Sequence, residues 1–185
     1  MTEEEYLTRI RTEDWKADYI SGVVYELTGG TWQHSRISTN LIVKTANTLD
    51  DKPCEVFNES LSVYVPKTGD YFSPDVSVVC GKPVFRDGRR DLLLNPRVLF
   101  EVLSPSTEGR DRGDKFEAYQ QIDSLQEFVV VSQSKVRLEV FRRAENGFWV
   151  YQQIAGLDVS LNLTSLDIAI PLAAIYKCVE FDKPQ

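Results

Sequence analysis

Apolar and polar residues follow one another along this 185-residue chain in short periodic runs that predict both helices and strands. Apolar residues recur at helical spacing in residues 3–16 and 34–49, and a further helix is predicted from about Asp111 through Ile122. The apolar stripe along 34–49 predicts a sheet layer beneath that helix.

Short β-prone runs between these segments predict the strands. They are 19–27, interrupted at Ser21-Gly22, and then 55–58, 61–65, 71–72, 75–79, 97–103, 128–131, 136–142 and 148–154, before a last apolar segment at 166–176. The continuous apolar runs 75–79 and 97–103 are typical of central strands covered on both faces, so helices are expected on both sides. No repeat or linker divides the chain, and a single α/β domain over residues 1–185 is predicted.

Charge and cysteine content narrow the possible functions. The net charge of −7 argues against a protein that coats nucleic acid, because such binding rests on Lys and Arg. Residues 82–115 hold eight bases against six acids, a slight local excess that is also typical of a solvated surface. Cys54, Cys80 and Cys178 are odd in number and widely spaced, so neither a disulfide framework nor a zinc site is predicted. We expect a cytoplasmic protein without a membrane span.

Two carboxylates interrupt strands that otherwise have a core pattern. Asp75 follows Pro74 at the start of one strand, and Glu101 lies within another. Lys115 lies one short loop and a helical turn beyond Glu101, and Tyr119 shares its helical face. Carboxylate oxygens bind Mg²⁺ or Mn²⁺, and a lysine beside the metal can orient or deprotonate water. These residues fit metal-assisted phosphodiester hydrolysis; the alternative interpretation of the residues alone is a partly buried ion pair between Glu101 and Lys115.

Other polar residues have less specific interpretations. His34 is the only histidine and cannot form a zinc site alone, so roles in the site and in the fold both stay open. Asp111 and Asp114 open a predicted helix, where we expect Asp114 to act as a cap and Asp111 to be able to approach a metal. Residues 28–31 lack the ending of a phosphate-binding loop and are interpreted as a turn. Trp32 is expected in the core or at a dimer face rather than under a nucleic-acid base.

Longer motifs in the chain resemble a known family. The chain is similar to the Uma family of bacterial restriction-endonuclease-like proteins in four motifs that lie within roughly residues 15–180. These motifs are Thr28-Gly-Gly-Thr-Trp-Gln-His34-Ser-Arg-Ile, Tyr-Phe-Ser-Pro-Asp75-Val-Ser-Val-Val-Cys-Gly, Glu101-Val-Leu-Ser-Pro-Ser-Thr and Asp111-Arg-Gly-Asp-Lys115-Phe-Glu-Ala-Tyr119. The resemblance implies the PD-(D/E)XK nuclease fold, a mixed central sheet flanked by helices. It also implies that Asp75 and Glu101 bind metal and that the motif lysine is Lys115, displaced from the strand position of Leu103 onto the following helix.

The same resemblance implies a Mg²⁺-dependent endonuclease that hydrolyses DNA as a homodimer. A non-catalytic nuclease-fold module that works through protein association is the alternative. Many relatives carry an acid directly after the glycine of the first strand, where this chain has Val23, and Glu26 lies one strand position out of phase. If that acid is a metal ligand, the substitution predicts weaker metal binding.

Overall fold

The computed structural model describes residues 1–13, 15–27, 29–104 and 108–181, without the side chain of Arg110. Its helices are α1 (Glu3–Thr12), α2 (Trp32–Thr48), α3 (Glu108–Arg112), α4 (Asp114–Tyr119) and α5 (Leu172–Ile175). Its strands are β1 (Ala17–Ile20), β2 (Val23–Glu26), β3 (Cys54–Asn58), β4 (Ser62–Val65), β5 (Asp70–Phe72), β6 (Val76–Cys80), β7 (Leu92–Leu93), β8 (Val98–Leu103), β9 (Glu127–Ser132), β10 (Arg137–Arg143), β11 (Trp149–Ala155), β12 (Ser160–Leu163) and β13 (Ile168–Pro171). Among the described helices, none is long and apolar enough to cross a membrane.

A six-stranded mixed sheet forms the centre of the fold, in the order β11-β10-β9-β8-β6-β3. Strands β8 and β9 are parallel, whereas β8 pairs antiparallel with β6. A five-stranded sheet, β2-β1-β5-β4-β7, and the hairpin β12-β13 complete the strands. The predicted α/β fold with a mixed central sheet is therefore confirmed.

Side chains of β8 alternate between two hydrophobic clusters because successive residues of a strand point to opposite faces. Phe100 lies in one cluster with Ile37 and Leu41 of α2. Leu99 lies in the other, with Tyr119 of α4. Helices cover both faces of this sheet, as the continuous apolar pattern predicts.

The interruption predicted at Ser21 and Gly22 is the tight turn between β1 and β2. Their φ angles of 50° and 84° belong to the left-handed region that a type I′ hairpin turn requires. Strand β1 begins at Ala17, two residues earlier than the sequence pattern indicates. Asp18 is thus part of the strand, and the alternation of β1 places it on the same face as the buried side chain of Ile20.

Helix starts differ from the predicted ones in two places. Helix α2 begins at Trp32, because the side chain of Thr31 caps it by accepting a hydrogen bond from the His34 amide at 3.2 Å. The capping role predicted for Asp114 is wrong, since Gly113 is the N-cap of α4 and no side chain caps it. Strand β8 ends at Leu103, as the sequence pattern predicts. Thr28, the first residue of the predicted turn over 28–31, and residues 105–107 lie outside the described residues.

The prediction that the cysteines form no disulfide is also wrong. Cys54 and Cys80 are bonded to each other, and Cys178 is a free, exposed cysteine. The two bonded residues are 26 positions apart, but the antiparallel register of β3 with β6 places them directly opposite one another. The spacing of the cysteines along the sequence does not predict this pairing, because it does not indicate which strands are neighbours. The expected cytoplasmic location, which used the cysteine pattern, stays a prediction.

This disulfide is expected to stabilise the protein, because it closes a loop across two strands of the central sheet. A crosslink over this sequence separation lowers the entropy of the unfolded chain. The corresponding gain in the free energy of unfolding is about 3 kcal/mol at room temperature. Replacing Cys54 with Ser should therefore lower the melting temperature by roughly 10 °C. Thermal unfolding followed by circular dichroism measures the change. Cys178→Ser is the matched control and should melt like the parent protein, and equal melting of parent and Cys54→Ser would contradict the role.

Candidate active site

The side chain of Lys115 lies buried among three carboxylates. Its Nζ is 3.1 Å from Asp18 Oδ2, 3.1 Å from Glu101 Oε1 and 3.2 Å from Asp111 Oδ1. Only 2% of Lys115 is exposed to solvent, and Asp18 is fully buried. The hydroxyl of Tyr119 donates a further hydrogen bond to Glu101 Oε1 at 2.8 Å. Elements β1, β8, α3 and α4 therefore meet at one ammonium group.

Asp75 lies beside this cluster, immediately before the first residue of β6. Strand β6 pairs Val76 with Phe100, and extending that register by one residue places Asp75 opposite Glu101. The amide of Val102 donates to Asp75 Oδ2 at 2.7 Å, which fixes the carboxylate against β8. Its other oxygen, Oδ1, lies 3.2 Å from Nε2 of His34. The helix α2 thereby contributes a side chain to the same end of the sheet.

The glycine turn before α2 leaves room for the His34 ring. A Cβ atom at Gly30 would lie 2.9 Å from His34 Nδ1, too close for the ring to keep its orientation toward Asp75. The same turn places Thr31 where it caps α2. Gly30 therefore allows the His34 ring to face Asp75, and the segment that contains it leads directly into the N-cap of α2.

The pKa values of Glu101 and Lys115 are shifted by the excess of acids in this cluster. Burial raises the pKa of Glu101 well above its usual value; Lys115 opposes that shift, while Asp111, Asp75 and Asp18 add to it. Burial lowers the pKa of Lys115, but the neighbouring carboxylates outweigh burial, so this pKa is well above the usual value for lysine. The cluster holds an ammonium ion firmly and retains uncompensated negative charge.

His34 and Tyr119 are also shifted by their surroundings. Burial lowers the pKa of His34, but its hydrogen bond to Asp75 and the nearby negative charges produce a net rise. Burial, with the charges of Glu101 and Asp18, raises the pKa of Tyr119 well above its usual value. Tyr119 therefore stays a hydrogen-bond donor to Glu101.

All six candidate residues from the sequence come together at this end of the central sheet. They are His34, Asp75, Glu101, Asp111, Lys115 and Tyr119. The ion pair between Glu101 and Lys115 that the sequence left as an alternative is present, and it is fully rather than partly buried. Its existence does not decide between the two interpretations, because the surrounding acids outnumber the lysine.

Sequence reasoning missed Asp18, the acid that β1 contributes. Val23 is half exposed in β2. Glu26 is exposed and accepts a hydrogen bond from Trp15 Nε1 at 3.0 Å. The acid that enters the cluster lies five positions before Val23, and the amide of Ser73 donates to its Oδ1 at 2.9 Å. If the strand had been predicted to start at Ala17, Asp18 would have been recognised as an acid on the same strand face as the apolar residue Ile20.

Comparison with known proteins assigns the chain to a family. The Uma2 family, described as "putative restriction endonuclease", matches residues 3–173. The chain belongs to the Uma2 family. Two uncharacterized proteins of Synechocystis sp. (strain ATCC 27184 / PCC 6803 / Kazusa) are related: slr1290 is 34% identical over 98% of this chain and 94% of its own length, and sll1609 is 28% identical over 91% and 95%.

The Uma2 fold also has a solved counterpart. The crystal structure of a "putative nuclease belonging to DUF820" from Anabaena variabilis ATCC 29413 superposes with a TM-score of 0.77. The alignment covers 95% of this chain and 97% of the other, at 15% sequence identity. At that identity the likeness shows the shared nuclease-like fold.

The polar atoms of this Uma2 site fit a hard divalent cation. Asp18 Oδ2 and Asp111 Oδ1 are buried without a hydrogen-bond partner, although each lies at ion-pair distance from Lys115. Asp75 and Glu101 present further carboxylates beside them, and oxygen ligands are those that Mg²⁺ prefers. Within the described ranges, no group of three or more His, Cys, Asp or Glu side chains is arranged so that it could by itself hold a metal ion. Mg²⁺ commonly needs only one or two carboxylates together with water and phosphate oxygens.

The raised pKa of Glu101 predicts that its neutral form stabilises the metal-free protein. A group whose pKa is higher in the folded state favours folding below its unfolded pKa, and this contribution is lost as pH rises through the folded value. Glu101→Gln mimics the protonated form, so in EDTA at neutral pH it should raise the melting temperature by a few degrees. The gain should disappear below the ordinary pKa of glutamate, near pH 4.

Glu127→Gln is the matched control, a second buried glutamate with the opposite expected effect. Its carboxylate accepts hydrogen bonds from Arg142, Thr164 and Ser165, so neutralising it should lower the melting temperature. Scanning calorimetry across pH measures both variants. A lower melting temperature for Glu101→Gln at neutral pH would show that Lys115, rather than the excess of acids, controls this carboxyl group.

Proposed function

We propose that this Uma2 protein is a metal-dependent endonuclease that hydrolyses DNA phosphodiester bonds. The observation that supports the proposal is the convergence of four carboxylates at one end of the central sheet, three of which contact a single lysine. The carboxylates belong to Asp18, Asp75, Glu101 and Asp111. Strongly perturbed titratable groups gathered in this way are more typical of functional sites than of purely structural ion pairs.

Asp75 and Glu101 are the proposed ligands for Mg²⁺ or Mn²⁺. The amide of Val102 holds the Asp75 carboxylate in place, and Tyr119 does the same for Glu101. The bound ion would polarise both the attacking water and the phosphate. His34 orients Asp75 through its 3.2 Å contact and so has a supporting role.

Lys115 is the proposed catalytic lysine. Its raised pKa keeps it charged at neutral pH, so it offsets the negative charge that develops on the phosphate and orients the attacking water. A charged lysine does not accept a proton, which makes it an electrostatic group rather than a general base here. Asp18 and Asp111 position its Nζ by contacts of 3.1 and 3.2 Å.

The remaining parts of the proposal concern assembly. Cleavage of both strands of a duplex by a single-site nuclease calls for two copies of the site, so we propose a homodimer of single-domain chains. DNA is the proposed partner and substrate, because the family is described as restriction-endonuclease-like.

A metal-supplemented cleavage assay tests this function. The wild-type chain should cut supercoiled, linear or single-stranded DNA with Mg²⁺ or Mn²⁺ and should be inactive in EDTA. Asp75→Asn keeps an oxygen for the Val102 amide but removes the charge, so cleavage should fall at least about a hundredfold, since the ion's stabilisation of charge is worth several kcal/mol. Gel electrophoresis of the products measures the rate.

Calorimetric titration with the same metals distinguishes the proposed enzyme from the alternative, a non-catalytic nuclease-fold module. Heat of binding that disappears in Asp75→Asn but persists in the exposed control Asp114→Asn supports the proposed ligand. A wild-type chain that binds neither metal at millimolar concentration and cuts no DNA would refute the enzyme. That result would favour a nuclease-fold module that acts through protein association.

A further inference from the structure

The solvent side of α2 differs in charge from the rest of this acidic chain. Although 28 of the 185 residues are Asp or Glu, no acid occurs between Leu27 and Asp50. The exposed residues along the first half of the helix form what we call the α2 outer stripe: Trp32, Ser35, Arg36 and Thr39. Their spacing of three and four positions places them on one helical face. A helix face that carries an arginine and no acid of its own repels a polyanion less than an acidic face does.

Two members of the stripe are unusually available for binding. Trp32 is 53% exposed, so the core location is wrong, and of the two expected locations only a dimer face stays a prediction. Within the described part of the chain, its indole has no aromatic or cation–π contact, and Arg36 forms no ion pair. The four stripe residues line a shallow groove of about 300 Å³. An exposed flat ring beside an unpaired guanidinium provides a stacking surface and a phosphate donor.

The stripe is close to the candidate active site. Trp32 lies two residues before His34, whose Nε2 contacts Asp75. Residues two apart on a helix face in roughly opposite directions, and a helix with its side chains is about 10–12 Å wide. The stripe therefore lies within roughly 15 Å of the Asp75 carboxylate. A nucleic-acid strand rises about 3.4 Å per nucleotide, so a strand that leaves the site and bends around α2 reaches the stripe after a few nucleotides.

We infer that the α2 outer stripe binds the DNA strand next to the scissile phosphate and selects single-stranded or locally unpaired DNA. Arg36 and the Ser35 hydroxyl donate to backbone phosphates, and Trp32 stacks on an unpaired base. An indole in this role distinguishes an unstacked base from one enclosed in a duplex, because only the unstacked base offers a free face. This inference rests on the proposed nuclease function and adds to it the form of DNA that is bound.

Binding without cleavage tests the inference independently of catalysis. A short fluorescein-labelled single strand and its duplex are titrated with the full chain in EDTA, and fluorescence anisotropy gives each dissociation constant. Trp32→Ala should weaken single-strand binding about tenfold, with a smaller effect on the duplex, and Trp32→Phe should retain most of the affinity. Arg36→Ala should reduce the slope of log affinity against log salt by about 0.7, whereas Arg36→Lys should keep that slope.

Matched controls remove an equivalent group elsewhere on the surface. Phe148→Ala deletes an aromatic side chain that is 72% exposed at the β10–β11 turn, and Arg11→Ala deletes an exposed charge on α1. Neither should alter single-strand affinity. Melting temperatures of all variants confirm that they are folded, which is expected because every substituted side chain lies at the surface.

The possible outcomes separate this inference from the proposed function. Wild-type affinity in both Trp32→Ala and Arg36→Ala, or no single-strand binding by the wild type, would overturn the inference. A change of oligomeric state in Trp32→Ala, measured by sedimentation, would also overturn it and assign the stripe to a protein interface. If the stripe variants lose single-strand binding but the wild type never cuts DNA with added metal, the inferred binding role of the stripe is supported and the nuclease proposal is refuted.

Discussion

The burial of one ammonium group is the constraint on which the rest of the site depends. Moving a charge from water into a protein interior costs several kcal/mol unless partners replace its hydration. Lys115 is compensated by carboxylates from β1, β8 and α3, so these elements must meet at its Nζ for the fold to be stable. Asp111 and Lys115 keep the four-residue spacing of a helical pair although Gly113 separates α3 from α4.

The compensation exceeds what stability alone requires. One carboxylate would pair with Lys115, yet Asp18, Glu101 and Asp111 all contact it, and Asp75 lies beside them. Each further buried acid raises the pKa of Glu101 and destabilises the charged state in which it can bind metal. The proposed divalent cation would relieve this repulsion between the carboxylates, whereas packing alone leaves it in place.

Sequence patterns predicted the central sheet, its flanking helices and six residues that come together at one end of the sheet, because periodicity and motif position are local properties. What they missed depends on pairing between distant strands. Cys54 and Cys80 bond because the antiparallel pairing of β3 with β6 places them opposite each other. The number of cysteines in a sequence does not indicate such a strand register. Asp18 was missed for a related reason: the turn at Ser21 and Gly22 was recognised, but the strand before it was started two residues too late.

The position of Asp18 also changes what Val23 implies. The substitution at Val23 suggested a site short of one acid, but side chains reach a site by the face of the strand they occupy rather than by their order after a glycine. Asp18 lies on the buried face of β1, at 3.1 Å from Lys115, whereas Val23 is half exposed in the next strand. The cluster around Lys115 therefore holds an acid from the first hairpin, although position 23 is a valine.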